Sequence, residues 1–334
     1  MPEIAQLTYG GAVNAALRHL LDSDPRVLVY GEDVAEPGGV FGVTRGLRQS
    51  FGPGRVFDTP ISESAILGSA VGSALMGCRP IVEIMWADFA LVALDQLVNQ
   101  AANARYVSRG SAPAPIVVRT QQGNAPGACA QHSQCLEAFF LHTPGLRVAM
   151  PSTPQDAYDA LIAAATADDP VIVVENRTLY AGRKEPVELR TSPRRMGWSA
   201  QRRTGTGMTV VTWGAMTHRV LRAAEALDAD GIDTDVLEMV WLNPLDIEAV
   251  LDSVSRTGRL AVVHEANRTG GFGAEIVARV AEAGVPLLAP PVRIATPDTR
   301  LPAAPSLATA LVPSADSIAS DLRAAVSSPV AGTR

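Results

Sequence analysis

Three cysteines in 334 residues are too few, and odd in number, for a disulfide framework, which points to a reducing cytoplasm. No run rich in lysine or arginine appears and the net charge is −6, which speaks against nucleic acid and against an anionic membrane surface as partners. No apolar stretch has the length of a membrane span. The most apolar one, residues 65–78, is broken by glycines and serines. The opening MPEIAQLTYGG lacks an apolar signal core, so no targeting segment is expected. Aromatic residues are scarce at 5%. Much of the 47% apolar content is alanine and valine, as in tightly packed α/β layers. The phosphate-binding G-x-x-x-x-G-K-[ST] pattern is also missing. Gly270-Gly271-Phe272-Gly273 opens a helix without the third glycine of a dinucleotide fingerprint, and reads as a tight strand-to-helix turn.

What is present is alternation. A chain of this length calls for two domains. Helical spacing over 8–22 is followed by short buried strands at 27–30, 56–58, 80–85, 115–119, 146–150 and 171–175. Helices at 63–76, 89–106 and 154–166 lie between them. Residues 186–206 turn polar and basic and lose apolar periodicity, which marks them as a linker. Strands at 208–213, 234–239, 259–264 and 291–295 then alternate with helices at 216–229, 245–255, 273–283 and 315–326. The fold class is therefore α/β, with two doubly wound domains over 1–185 and 207–334 and parallel sheets covered on both faces.

Two stretches carry candidate chemistry. FDTPISES (57–64) sets Glu63 just after a strand, at the start of a helix of small residues. It is either an acid favoured by the helix dipole or a carboxylate at the sheet edge where ligands bind. GACAQHSQC (127–135) spaces Cys129, His132 and Cys135 three apart. Zinc would want a fourth ligand and a paired C-x₂-C element. A redox couple would want C-x-x-C, and packing accounts for small apolar cysteines. His132 sits in a polar loop after a strand, where catalytic groups are commonly presented.

Taken together, GEDV (31–34), FGPGRVFDTPISE (51–63), RPIVEIM (79–85), DQLVNQAA (95–102), AQHSQC (130–135), PGLRVAMPSTPQDA (144–157), DDPVIVVEN (168–176) and TGGFGAEI (269–276) carry a resemblance. In order and over nearly the whole chain, they are similar to the β subunit of thiamine-diphosphate-dependent 2-oxo acid dehydrogenases. These are the decarboxylating first components of the pyruvate, branched-chain and acetoin dehydrogenase complexes. The resemblance implies a transketolase-like pyrimidine-binding domain followed by a transketolase C-terminal domain. It also explains why no Gly-Asp-Gly…Asn motif for magnesium and diphosphate is found here, since in this family the α subunit carries it.

By resemblance, Glu63 hydrogen-bonds a ring nitrogen of the cofactor's aminopyrimidine, and Met85 and Phe89 supply apolar contacts to that ring. His132 orients substrate or intermediates and assists acyl transfer to a lipoyl group. Ile116, Ala164 and Asp169 match positions of a monovalent-cation (K⁺) site, where Ala167 replaces an expected acid. The implied partners are the α subunit, in an α₂β₂ assembly that binds Mg²⁺ through α, and a lipoyl acyltransferase core. Val240 stands where an arginine is usual, and Leu307-Ala308 where the family has Leu-Glu. Those departures keep open an alternative in which the same half-site forms carbon–carbon bonds outside a dehydrogenase complex.

Overall fold

The computed structural model describes residues 3–192 and 194–327. Residues 1, 2, 193 and 328–334, which fall in the expected domains and linker, lie outside the described residues. The chain divides into two compact units, residues 1–123 with 139–196 and residues 124–138 with 197–334.

The first unit contains β1 (Glu3–Leu7), β2 (Val27–Gly31), β3 (Val56–Asp58), β4 (Arg79–Ile84), β5 (Val117–Gln122), β6 (Arg147–Ala149), β7 (Val171–Asn176) and β8 (Glu185–Leu189). Six of these lie in the order β6-β7-β5-β4-β2-β3, every pairing parallel. The central strands β5 and β7 are buried at every position, as expected of a parallel sheet covered on both sides. The covering helices begin where the sequence places caps. Thr8 Oγ1 accepts the Gly11 amide at 3.1 Å ahead of the helix Tyr9–Ser23. Thr153 Oγ1 accepts the Asp156 amide at 3.2 Å ahead of Pro154–Thr166, whose proline occupies the first turn.

A charged cluster crosses the centre of this sheet. Arg119 on β5 donates from Nη1 to Glu83 on β4 (2.6 Å), and from Nε and Nη2 to Glu175 on β7 (2.7 and 2.8 Å). The Tyr180 hydroxyl donates to Glu175 as well. The bidentate guanidinium–carboxylate pair satisfies groups that could not otherwise be taken out of water.

Two regions differ from the sequence expectation. The helix expected over 89–106 is a short helix Ala87–Ala90, a π-helix Gln96–Ala101 and a final turn Ala102–Val107. Asp95 accepts from the Asn99 side chain at 2.7 Å at the start of the wider turn. The apolar spacing of the two windings is nearly the same, so periodicity alone joins them. The segment expected to be a linker over 186–206 holds most of β8, which pairs antiparallel with β1, and all of β9 (Ser199–Arg203). Both are edge strands and half-exposed, so their sequences carry polar residues where a central strand would be apolar.

The second unit contains β9, β10 (Met208–Thr212), β11 (Thr234–Met239), β12 (Trp241–Asn243), β13 (Leu260–Asn267) and β14 (Val292–Thr296). Its sheet runs β14-β13-β10-β11-β9, parallel except for β9 against β11. Val210, Val236, Ala261 and Val263 pack against Val220, Leu227, Ile318 and Leu322. Each fully buried valine, leucine or isoleucine among them contributes about 1.5–3 kcal/mol of apolar burial. No helix among the described residues is long and apolar enough to cross a membrane.

Candidate functional site

Glu63 is the first residue of the helix Glu63–Leu75 and half-buried. That helix starts just past β3, so Glu63 stands at the carboxyl edge of the first sheet, at the positive end of a helix. The edge is fixed by short-range bonds. The Asp58 carboxylate at the end of β3 accepts the amides of Ala35 (2.7 Å) and Glu36 (3.1 Å), and the Thr59 amide donates to the Gly31 carbonyl at 2.9 Å. These bonds tie the loop after β2 to the segment that delivers Glu63. Glu32 in that loop has its carboxyl held above the usual range, first by burial, then by the Asp33 and Glu63 carboxylates. Glu32 thus lies within electrostatic reach of the Glu63 carboxylate.

Met85 directly follows β4 at the same sheet edge and is 9% exposed. β2 separates β4 from β3, so Met85 and Glu63 come from strand ends about 10 Å apart across the sheet. Phe89 is half-exposed in the short helix that follows. Its ring meets Trp86 edge-on at 5.9 Å, Trp86 meets Phe41 at 6.0 Å, and Phe41 leans on Tyr180 at 5.3 Å. Sequence reasoning missed Glu32, Phe41 and Trp86. In a chain so poor in aromatics, the WADF stretch (86–89) was the signal that could have flagged the ring cluster.

His132 belongs to the second unit, not the first, although the strand before its loop is β5. The chain leaves β5 at Gly123 (φ +99°), where a Cβ would lie 2.3 Å from Asn176 Nδ2. Only glycine fits there. The loop is then held by its own bonds and by groups far along the chain. Ser133 Oγ donates to the Cys129 carbonyl. The Asn124 amide donates to Glu265 Oε1 at 2.7 Å. Arg300 donates to the Gln134 side-chain oxygen, and Trp213 Nε1 donates to Glu137 Oε1 at 3.2 Å. His132 itself is half-buried, and Cys129 and Cys135 beside it are half-buried thiols outside any disulfide. Glu265 and Arg300 were not visible as site residues in the sequence.

The proposed cation donors lie elsewhere in the first unit and are already engaged. The Ile116 carbonyl accepts the Val171 amide at 3.0 Å, and the Ala164 carbonyl accepts the Ala167 amide at 3.2 Å. The Asp169 carboxylate is bound by Arg105 and by Arg147, the latter at 3.0 Å. Burial opposes its ionisation, but hydrogen bonds and charge from the two arginines more than offset that and hold its carboxyl below the usual range. Two guanidiniums thus flank the Asp169 carboxylate.

Comparison with known proteins decides the family. Residues 5–183 match the model of the transketolase pyrimidine-binding domain, and residues 197–318 that of the transketolase C-terminal domain. The chain is 40% identical over 300 residues to the pyruvate dehydrogenase E1 component subunit beta of Bacillus subtilis, covering 90% of this chain and 92% of that one. It is 40% identical over 303 residues to the 2-oxoisovalerate dehydrogenase subunit beta of the same organism, covering 90% and 93%. The chain belongs to the β-subunit family of the 2-oxo acid dehydrogenase first components. In fold it is similar to a structure titled "Split gene transketolase, inactive beta4 tetramer", with a TM-score of 0.78, 23% identity and coverage of 96% of this chain and 99% of that one. A transketolase from Campylobacter jejuni gives a TM-score of 0.71 at 13% identity, covering 96% of this chain and 47% of that one. Against the family pattern, Val240 is fully buried, so valine at that place suits an apolar site. Leu307 is 59% exposed and Ala308 is buried.

Proposed function

We propose that this β-subunit family member supplies the pyrimidine half of a thiamine diphosphate site. With an α subunit that holds Mg²⁺ and the diphosphate, it decarboxylates a 2-oxo acid and passes the acyl group to a lipoyl group. The observation that carries this reading is Glu63, half-buried at a helix N-terminus on the carboxyl edge of a parallel sheet, within electrostatic reach of Glu32. The residues fit an aminopyrimidine: one acid able to share a proton with a ring nitrogen, a nearly buried thioether at Met85 and an aromatic edge at Phe89. When bound, thiamine diphosphate supplies the acidic thiazolium carbon and the electron sink for decarboxylation.

Glu63 holds a proton at the ring nitrogen, and a dry pocket makes that shared proton count. Met85 and Phe89 would make apolar contacts to that ring and help exclude water. His132 orients the substrate and assists acyl transfer. The pyruvate and 2-oxoisovalerate dehydrogenase relatives point to a short 2-oxo acid as substrate. We place the protein in the cytoplasm as part of an α₂β₂ assembly docked to a lipoyl acyltransferase core. Exposed apolar side chains support a covered surface: Met76 is 85% exposed, Val92 63%, Tyr106 87% and Val107 76%.

The test is reduction of an artificial electron acceptor by the chain co-purified with its α partner, thiamine diphosphate and magnesium, on pyruvate, 2-oxoisovalerate and acetoin. Turnover of one of them, reduced on the order of a hundredfold or more by Glu63→Gln, supports the reading. A complex that binds the cofactor yet reduces nothing, or a Glu63→Gln variant with full activity, would sink it.

A further inference from the structure

The loop that carries His132 is packed as part of the second unit, and the groups that hold it come from three separate places in that unit's sequence. At the entry, Glu265 near the end of β13 accepts the Asn124 amide at 2.7 Å. At the exit, Trp213 Nε1 donates at 3.2 Å to Glu137, whose side chain is 1% exposed. Between these, Arg300 reaches Gln134. Under the loop, Ser133, Gln134 and Cys135 line a polar cavity of about 30 Å³ with Glu265, Thr296 and Arg300, room for about two water molecules.

The exit anchor is itself fixed. Trp213 lies flat on His264, with ring centroids 5.2 Å apart and planes 10° apart, and meets Phe272 edge-on at 6.0 Å. On the imidazole, Gly271 and Gly273 leave no space: a Cβ at either would stand 2.6 or 2.9 Å from its ring atoms. The Gly270–Gly273 turn, which lacks a nucleotide-binding pattern, therefore serves packing. It closes the stack that aims the Trp213 N–H.

We propose that Glu265, Trp213 and Arg300 are positioning residues that clamp the 124–138 loop and so set the place of His132, making the C-terminal unit a determinant of the acyl-transfer step. This rests on the reading of His132 as the acyl-transfer group. Glu265 and Trp213 are the stronger holds, because their partners are a backbone amide and a buried carboxylate. Arg300 is exposed and its pair with Gln134 is the weaker one.

The experiment uses the assembled complex with thiamine diphosphate and magnesium and reads two things. One is the ratio of lipoamide-dependent to artificial-acceptor turnover, on whichever of pyruvate and 2-oxoisovalerate is used. The other is the alkylation rate of Cys129 and Cys135, resolved by peptide mass spectrometry without substrate. Glu265→Ala and Trp213→Phe should lower the ratio about tenfold, as a small misplacement of a reacting group does, and speed alkylation several-fold. Glu265→Gln, which keeps an acceptor for the Asn124 amide, should restore both. His132→Ala is the reference. If it leaves the ratio unchanged, the reading of His132 fails. If His132→Ala lowers the ratio while Glu265→Ala and Trp213→Phe alter neither readout, the clamp is refuted. Should Glu265→Ala fail to assemble, Trp213→Phe and Glu265→Gln decide on the same two readouts.

Discussion

Each unit holds a buried polar centre, Arg119 in the first and His264 in the second, and the two centres are stabilised in opposite ways. In the first, Arg119 is 1% exposed and sits between two carboxylates, so charge is buried and paired. In the second, His264 is fully buried, stacked on Trp213, and its ring nitrogens make no well-formed hydrogen bond. At this ring charge is avoided by keeping the imidazole neutral. The first solution needs well-matched partners. The second needs only apolar neighbours and fails when a proton becomes available.

The largest expected effect follows from the first solution. Burial raises the Glu83 carboxyl above its usual range, with Arg119 opposing and Glu175 adding to the rise. Burial alone would disfavour a charged Arg119, but Glu175 and Glu83 outweigh it and hold the guanidinium well above its usual range. Arg119→Met should therefore leave two facing buried carboxyls and cost about 3–5 kcal/mol in urea unfolding. Glu83→Gln should cost distinctly less, because burial already pushes that carboxyl toward neutrality. Equal losses for the two variants would mean that the cluster does not divide its charge in this way.

The same contrast explains what could be read in the sequence. The central strand VIVVEN was legible because a strand buried on both faces is expected to be nearly continuous in apolar residues. In VVRTQQ only the start was legible as strand, and Thr120, Gln121 and Gln122, polar yet buried, were missed. Their charged members were not read as a network, since pairing across strands depends on register. β8 and β9 were lost as linker because edge strands are polar. Glu63 was legible as a candidate because a strand-to-helix junction announces the sheet edge, whereas Glu265 and Arg300 act on a loop more than a hundred residues earlier. No local pattern marks such a contact.

The second solution gives the next effect. Burial pulls the His264 pKa down to about 4 from 6.5, the Ala266 backbone opposing and Arg293 adding slightly. Below pH 6.5 the unfolded chain takes up a proton that the folded chain refuses. Stability is thus lost as pH falls from about 6.5 to about 4 and levels off below that, by up to about 3 kcal/mol in all. His264→Phe keeps a ring against Trp213 and should flatten that part of the pH–stability curve. An unchanged acid slope in this variant would place the sensitivity elsewhere and remove the contrast between the units.

The smallest effect tests whether the units differ in anything else. Thr153 in the first unit and Asp246 in the second cap helices in the same way, accepting the Asp156 and Ala249 amides at 3.2 and 3.3 Å. Alanine at either should cost about 1 kcal/mol. Asp246 has a second duty, however: its other oxygen accepts the Ser199 hydroxyl at 2.6 Å, which fastens the first residue of β9, the antiparallel edge of that sheet. If Ser199→Ala alone is nearly neutral and Asp246→Ala matches Thr153→Ala, β9 is held by its ladder with β11 and the caps are equivalent. A clearly larger loss at Asp246, shared by Ser199→Ala, would instead make this edge strand depend on a side-chain tether, as the His132 loop does in the same unit.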